Sequence, residues 1–96
     1  MYQADCRHIN SYIDFIEVFN KTIIEPVGGK WNGNLDAFND YLSWPKPNPY
    51  HLVILGSEHC AEILNYKESE RHEKKLWPLL REILQENGRW VLVDFK

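Results

Sequence analysis

Asp36 and Asp40 stand four residues apart in the stretch Lys30 to Trp44, KWNGNLDAFNDYLSW, and carboxylates at that spacing are neighbours on the surface of a helix. Left to themselves they repel by roughly 0.2–0.5 kcal/mol, and a cationic partner reverses the sign. Asp36 falls in the first turn, where the helix dipole favours a carboxylate by about 0.3–1 kcal/mol and explains it without any partner. Asp40 has no such role, so the stripe reads either as an ordinary solvated face or as a recognition face. The remaining groups with chemical potential are His8, His51, His59, His72, Cys60 and scattered carboxylates. None of them forms a zinc, Cys-His or Ser-His arrangement, and the adjacent His59 and Cys60 point about 100° apart on a helix. The pattern therefore predicts binding rather than catalysis, with no metal and no cofactor.

The elements that must position the aspartates follow from periodicity. With Asn34 as N-cap, Leu35, Ala37, Phe38, Tyr41 and Leu42 take one side of the helix, and Asp36, Asn39, Asp40 and Ser43 the other. Before it, Ser11 and Asp14 resemble a capping box, and Tyr12, Phe15, Ile16, Phe19 and Ile23 make an apolar stripe that Pro26, Gly28 and Gly29 stop. Tyr2 to Ile9 is a strand candidate with Tyr2, Ala4 and Cys6 on one face. After the second helix, three prolines between Trp44 and Pro49 predict an extended connector. His51 to Leu55 reads as a central parallel strand buried on both faces, and Trp90 to Phe95 as a second continuous one. Between them, Ser57 caps a short helix bearing Cys60, Ala61, Ile63 and Leu64. The mixed-charge run Lys67 to Lys75 reads as a solvated loop or helix start, to which we assign no function. Leu76, Leu79, Leu80, Ile83 and Leu84 form the last helix, with Pro78 in its first turn and Asn87-Gly88 closing it. The order β-α-α-β-α-α-β predicts an α/β fold, a three-stranded parallel sheet packed with about four helices and joined by right-handed connections.

Length and composition set bounds. Ninety-six residues suffice for a single domain spanning 1–96. A net charge of -3 argues against nucleic acid as a partner and for a cationic protein. No apolar run approaches a membrane span and no basic-then-apolar leader opens the chain, so a soluble, cytoplasmic protein is expected. Two cysteines are too few for a disulfide framework and read by default as reduced, buried thiols, with a single bridge as the alternative. Aromatic residues are plentiful, and because they serve cores and interface centres alike, Trp31 and Trp44 are open to both readings.

The segment Asn34-Leu35-Asp36-Ala37, with Asp40 and Leu42, resembles the N-L-D-A-x-x-D-x-L signature at the start of the inhibitory helix of barstar and its relatives, the intracellular inhibitors and immunity proteins of secreted barnase-type ribonucleases. The resemblance extends over nearly the whole chain, more weakly through Ile9 to Phe15, Tyr50 to Leu55 and Asn87-Gly88. It implies a barstar-like fold and a cytoplasmic immunity protein, monomeric and forming a 1:1 complex that occludes the cationic active site of a cognate toxin. Carried over by position, Asp40 is the central stand-in for a substrate phosphate and Asp36 its flanking partner, with Lys30, Trp31, Asn34, Asn39, Ser43 and Trp44 around them. Such a carboxylate forms charge-assisted bonds to the groups a nuclease gathers around phosphate. The chain departs from the pattern at Lys30-Trp31, where the family has an aromatic pair, and at Trp44, where it has a small glycine. It departs again at Ile83, where an acidic contact is expected and Glu82 is adjacent, and in a few residues inserted before the last helix. These departures leave open a toxin other than a ribonuclease, or a regulatory protein-binding domain with no inhibitory role.

Overall fold

Three parallel strands, β1 (Tyr2–Asp5), β2 (Tyr50–Leu55) and β3 (Val91–Phe95), pair in the order β1-β2-β3, so the middle strand in sequence is also the middle strand in space. The computed structural model describes residues 2–43 and 49–96; the expected proline connector falls mostly on 44–48, outside the described residues. Helices α1 (Tyr12–Phe19) and α2 (Leu35–Ser43) fill the first crossover, and α3 (Ser57–Ile63) and α4 (Leu76–Glu86) the second. The protein is thus α/β in the order β-α-α-β-α-α-β.

Register decides what the sheet covers. Tyr2 pairs with Leu52, Ala4 with Ile54, Leu52 with Val93 and Ile54 with Phe95, and paired residues share a face. On that face Ala4, Leu52, Ile54 and Val91 are fully buried beneath the helices. They join one core with Phe15 and Phe19 of α1, Phe38 and Leu42 of α2, and Leu76, Leu80 and Leu84 of α4. The opposite face carries Gln3, Asp5, His51, Leu92 and Asp94, all exposed. Val53, on that face, is covered but stands apart from the core. Two expectations are corrected here. β2 is not buried on both faces along its length, and β3 alternates buried and exposed positions as an edge strand.

Local chemistry shifts several boundaries. β1 ends at Asp5 rather than near Ile9, because the Asp5 carboxylate accepts the Arg7 backbone N–H at 3.1 Å and the guanidinium at 2.9 and 2.8 Å, turning the chain. The bidentate guanidinium holds the Asp5 carboxyl well below the usual carboxylate range. Ser11 does cap α1, accepting from Asp14 N–H at 3.3 Å, while the Asp14 carboxylate reaches back to Asn10 N–H at 2.8 Å. The α geometry of the first stripe ends at Phe19, and Asn20–Ile24 widens into a π turn before a 3-10 turn over Glu25–Val27. Ile23 and Ile24 are both buried where the pitch changes.

Ser57 is not the cap of α3. Gly56 occupies that position with φ 77°, and Ser57, the first helical residue, donates its hydroxyl to the Lys96 carbonyl at 3.2 Å. Gly88 follows α4 as expected but without a positive φ. The Asn87 side chain closes the helix instead, its amide donating to the Ile83 carbonyl at 2.8 Å. No helix among the described residues is long and apolar enough to cross a membrane.

Candidate functional site

The polar face of α2 is built from the segment before it. Gly28 (φ 89°) reverses the chain after the 3-10 turn. The π turn brings Asn20 against the returning strand, where its amide donates to the Trp31 carbonyl at 2.8 Å and its oxygen accepts the Trp31 N–H at 2.6 Å. Tyr12 donates its hydroxyl to the Gly33 carbonyl at 2.7 Å. Tyr41 donates to the Lys30 carbonyl at 3.0 Å and accepts the Lys30 N–H at 3.4 Å. The Tyr41 ring lies so close to Gly29 that a Cβ there would sit 2.5 Å from Cε1. Side chains from α1, the π turn and α2 therefore grip the segment Gly29–Asn34 along its length, and the start of α2 is preorganised.

Trp31 leaves the candidate contact set. It is 2% exposed, stacks on Phe38 with centroids 4.4 Å apart and donates its indole N–H to the Asn34 carbonyl at 2.8 Å. Edge-on packing of Tyr12 and Phe15 completes its enclosure. Of the two readings the sequence leaves open, the structure selects core. Trp44 lies outside the described residues.

The other candidates share one exposed surface. Asn34 caps α2, its side-chain oxygen accepting Ala37 N–H at 2.9 Å. Asp36 and Asp40 are exposed one turn apart and form no ion pair with a described residue. Asn39 is held by Asn87, whose amide donates to Asn39 Oδ1 at 2.8 Å as well as to the Ile83 carbonyl. Because a carbonyl only accepts, the Asn87 orientation is fixed, and Asn39 keeps its own NH2 for a partner. Ser43 donates its hydroxyl to the Asp40 carbonyl at 2.9 Å. An open depression of about 260 Å³ lies beside Asp40, lined by Ala37, Asp40, Tyr41 and Ser43. Lys30 is exposed where the segment approaches the helix. The surface thus offers acceptors at Asp36 and Asp40 and a donor at Asn39, on a helix that Phe38 and Leu42 anchor in the core.

Residues that support this face were not evident beforehand. Asn20, Tyr12, Tyr41 and Asn87 all act through contacts distant in sequence. The one available signal was Asn20 itself, a weak helix former four residues after the apolar-stripe residue Ile16.

Elsewhere His51, His59 and both cysteines are occupied structurally. His59 bonds the Ile9 carbonyl at 2.7 Å and His51 the Asp94 carboxylate at 2.6 Å, which draws the Asp94 carboxyl below its usual range. Cys6 and Cys60 are reduced and buried, and their mutual hydrogen bond with burial pushes the Cys6 thiol up. Among the described residues no three His, Cys, Asp or Glu side chains gather to hold a metal. Comparisons of the chain with family models, with curated proteins and with solved structures find no match.

Proposed function

We propose that the protein is a barstar-like inhibitor, an immunity protein that inserts the polar face of α2 into the cationic active site of a cognate toxin, foremost a barnase-type ribonuclease. The observation that carries this reading is the exposed Asp36–Asp40 pair, free of ion pairs with described residues, on a helix whose approach is clamped at Lys30, Trp31 and Gly33. A solvated carboxylate needs no such scaffold. A group that must meet a rigid phosphate site does, because a preorganised contact avoids the ordering cost of binding. The order of elements and the N-L-D-A-x-x-D-x-L spacing at the start of α2 support the same reading. In it the protein acts in the cytoplasm as a monomer, binds its target 1:1, and is neither an enzyme nor a nucleic-acid binder.

Asp40 is the central contact and Asp36 its flank. Titrating a barnase-type ribonuclease into the protein by calorimetry tests this. Asp40→Ala is expected to weaken binding by at least ~2 kcal/mol with an unchanged circular dichroism spectrum, a scale taken from interface hot spots in general, the founding member of this family included. An Asp40→Ala affinity equal to that of the wild type sinks the phosphate-mimic role. The exposed cation Lys30 beside this face favours a second reading, the same mode of inhibition directed at a toxin that is not a ribonuclease.

A further inference from the structure

An open cleft of about 320 Å³ lies outside the polar face of α2. It lies between the first turn of α2 and the connection from Lys67 to Lys75, and it is lined by Asn34, Asp36, Glu68, Ser69, Arg71 and His72 together with Leu35. Asp36, the flanking carboxylate of the proposed contact face, forms one wall. The mixed-charge connection, which the sequence alone gives no role, forms the other.

That connection is not a slack tether. Its base is closed by Leu76 N–H donating to the Tyr66 carbonyl at 2.7 Å and Trp77 N–H to the Leu64 carbonyl at 3.2 Å. Inside it, Ser69 organises a turn, its hydroxyl accepting Arg71 N–H at 3.2 Å and its carbonyl His72 N–H at 3.1 Å. Two of its charges are held structurally, since Lys74 pairs with Glu82 at 2.8 Å and Lys75 bonds the Asn65 side chain at 2.8 Å. Glu68 and Arg71 line the cleft and form no ion pair among the described residues. The loop thus holds Lys74 and Lys75 against its own fold and leaves Glu68 and Arg71 to the cleft. A second observation ties Glu68 to the base of the contact face. The phenol of Tyr12, which bonds Gly33, is raised by burial and, next in size, by the charge of Glu68.

We propose that the Lys67–Lys75 loop is the second wall of the docking surface, and that Glu68 and Arg71 select which enzyme the α2 carboxylates engage. This rests on the inhibitor reading above. The occupant is a side chain on the rim of the enzyme's active site: a cation seated between Asp36 and Glu68, next to a carboxylate that faces Arg71. The charges argue for that pairing. An enzyme that binds a polyanionic chain extends its positive potential beyond the cleaved phosphate, which suits Glu68. Arg71, by contrast, repels a rim that is cationic throughout and accepts one with an acidic group in register. Such juxtaposition of like charges is how interfaces reject wrong partners. The cleft, about 320 Å³ and open to solvent, has room for one projecting side chain.

The test uses the full chain and, as probe, a barnase-type ribonuclease that carries an acidic side chain on the rim of its active site, with dissociation constants measured at ~0.15 M salt, where exposed charges beyond ~8 Å are screened. Glu68→Lys and Arg71→Glu are each expected to raise Kd about tenfold or more, as close charge pairs do. Glu70→Lys, on the same loop but outside the cleft lining, is expected to stay within about twofold of wild type, as isolated surface charges do. All three positions are exposed, and far-ultraviolet circular dichroism confirms an intact fold for each. The loop assignment is overturned if either cleft variant stays within that twofold band, tightens binding, or shifts no more than Glu70→Lys. In that case a retained Asp40→Ala effect leaves the inhibitor reading standing. If the wild type does not bind the probe, the loop assignment and the ribonuclease reading fall together, and the reading with a toxin that is not a ribonuclease stands alone.

Discussion

Asn20 shows how a single polar side chain decides whether the approach to α2 is rigid. Replacing it with alanine gains up to ~0.7 kcal/mol of helix propensity. The same change removes two hydrogen bonds to the Trp31 backbone, each contributing about 0.5–1.5 kcal/mol, and leaves those backbone groups half-buried without partners. The loss is larger than the gain, so Asn20→Ala is expected to lower unfolding free energy by ~1–2 kcal/mol in urea titrations. A variant as stable as the wild type denies Asn20 the positioning role. This part of the site was illegible in sequence because its chemistry spans eleven residues and depends on a π turn, and no periodicity announces either. Asp36, Asp40 and the Asn34 cap were legible because each acts through neighbours three or four residues away. Trp31 was ambiguous for a different reason: an indole under a loop and an indole at an interface have the same local sequence, and only its 2% exposure separates them.

Helix α2 has nine residues, too few to persist alone, since isolated helices below about 12–15 residues are marginal in water. Its stability comes from burying Phe38 and Leu42, roughly 1.5–3 kcal/mol each, and this outweighs the ~0.2–0.5 kcal/mol of repulsion between Asp36 and Asp40. The approach to the helix has its own pH dependence. Burial raises the Tyr12 phenol above its usual value, so the folded protein holds this proton more tightly than the unfolded chain. A group whose folded value is raised contributes stability in full below its unfolded pKa, about 10 for tyrosine, and loses it as pH rises toward the folded value. Urea midpoints measured from pH 8 to 11 are therefore expected to fall above pH 10 in the wild type and to fall less steeply in Tyr12→Phe. Equal slopes in the two proteins rule out this linkage. The boundaries read least well from sequence were those set by side chains acting on the backbone. Asp5 ends β1 through Arg7, and Gly56 takes the cap position expected of Ser57 because its left-handed φ of 77° suits glycine alone.

At the scale of the whole molecule, the alternation of strand and helix made the parallel sheet legible, whereas the covering of that sheet was not. Apolar runs such as YHLVIL look the same whether helices pack on one face or both, and parallel sheets are usually covered on both. Here the helical core lies against the face of Ala4, Leu52, Ile54 and Val91, and the face of His51, Leu92 and Asp94 is open, with Leu92 54% exposed. The two faces should then respond oppositely to substitution. Leu52→Ala empties a fully buried site and is expected to cost ~2–5 kcal/mol. Leu92→Thr keeps a good strand former at an exposed position and is expected to stay within ~0.5 kcal/mol of wild type. Urea unfolding at two protein concentrations about a hundredfold apart adds the deciding control, because a face covered by a second copy makes stability depend on concentration. A midpoint independent of concentration, together with a silent Leu92→Thr, is the outcome expected of a monomer that leaves this face open and meets its partner through α2. A concentration-dependent midpoint that Leu92→Thr abolishes would place a second copy on the sheet instead.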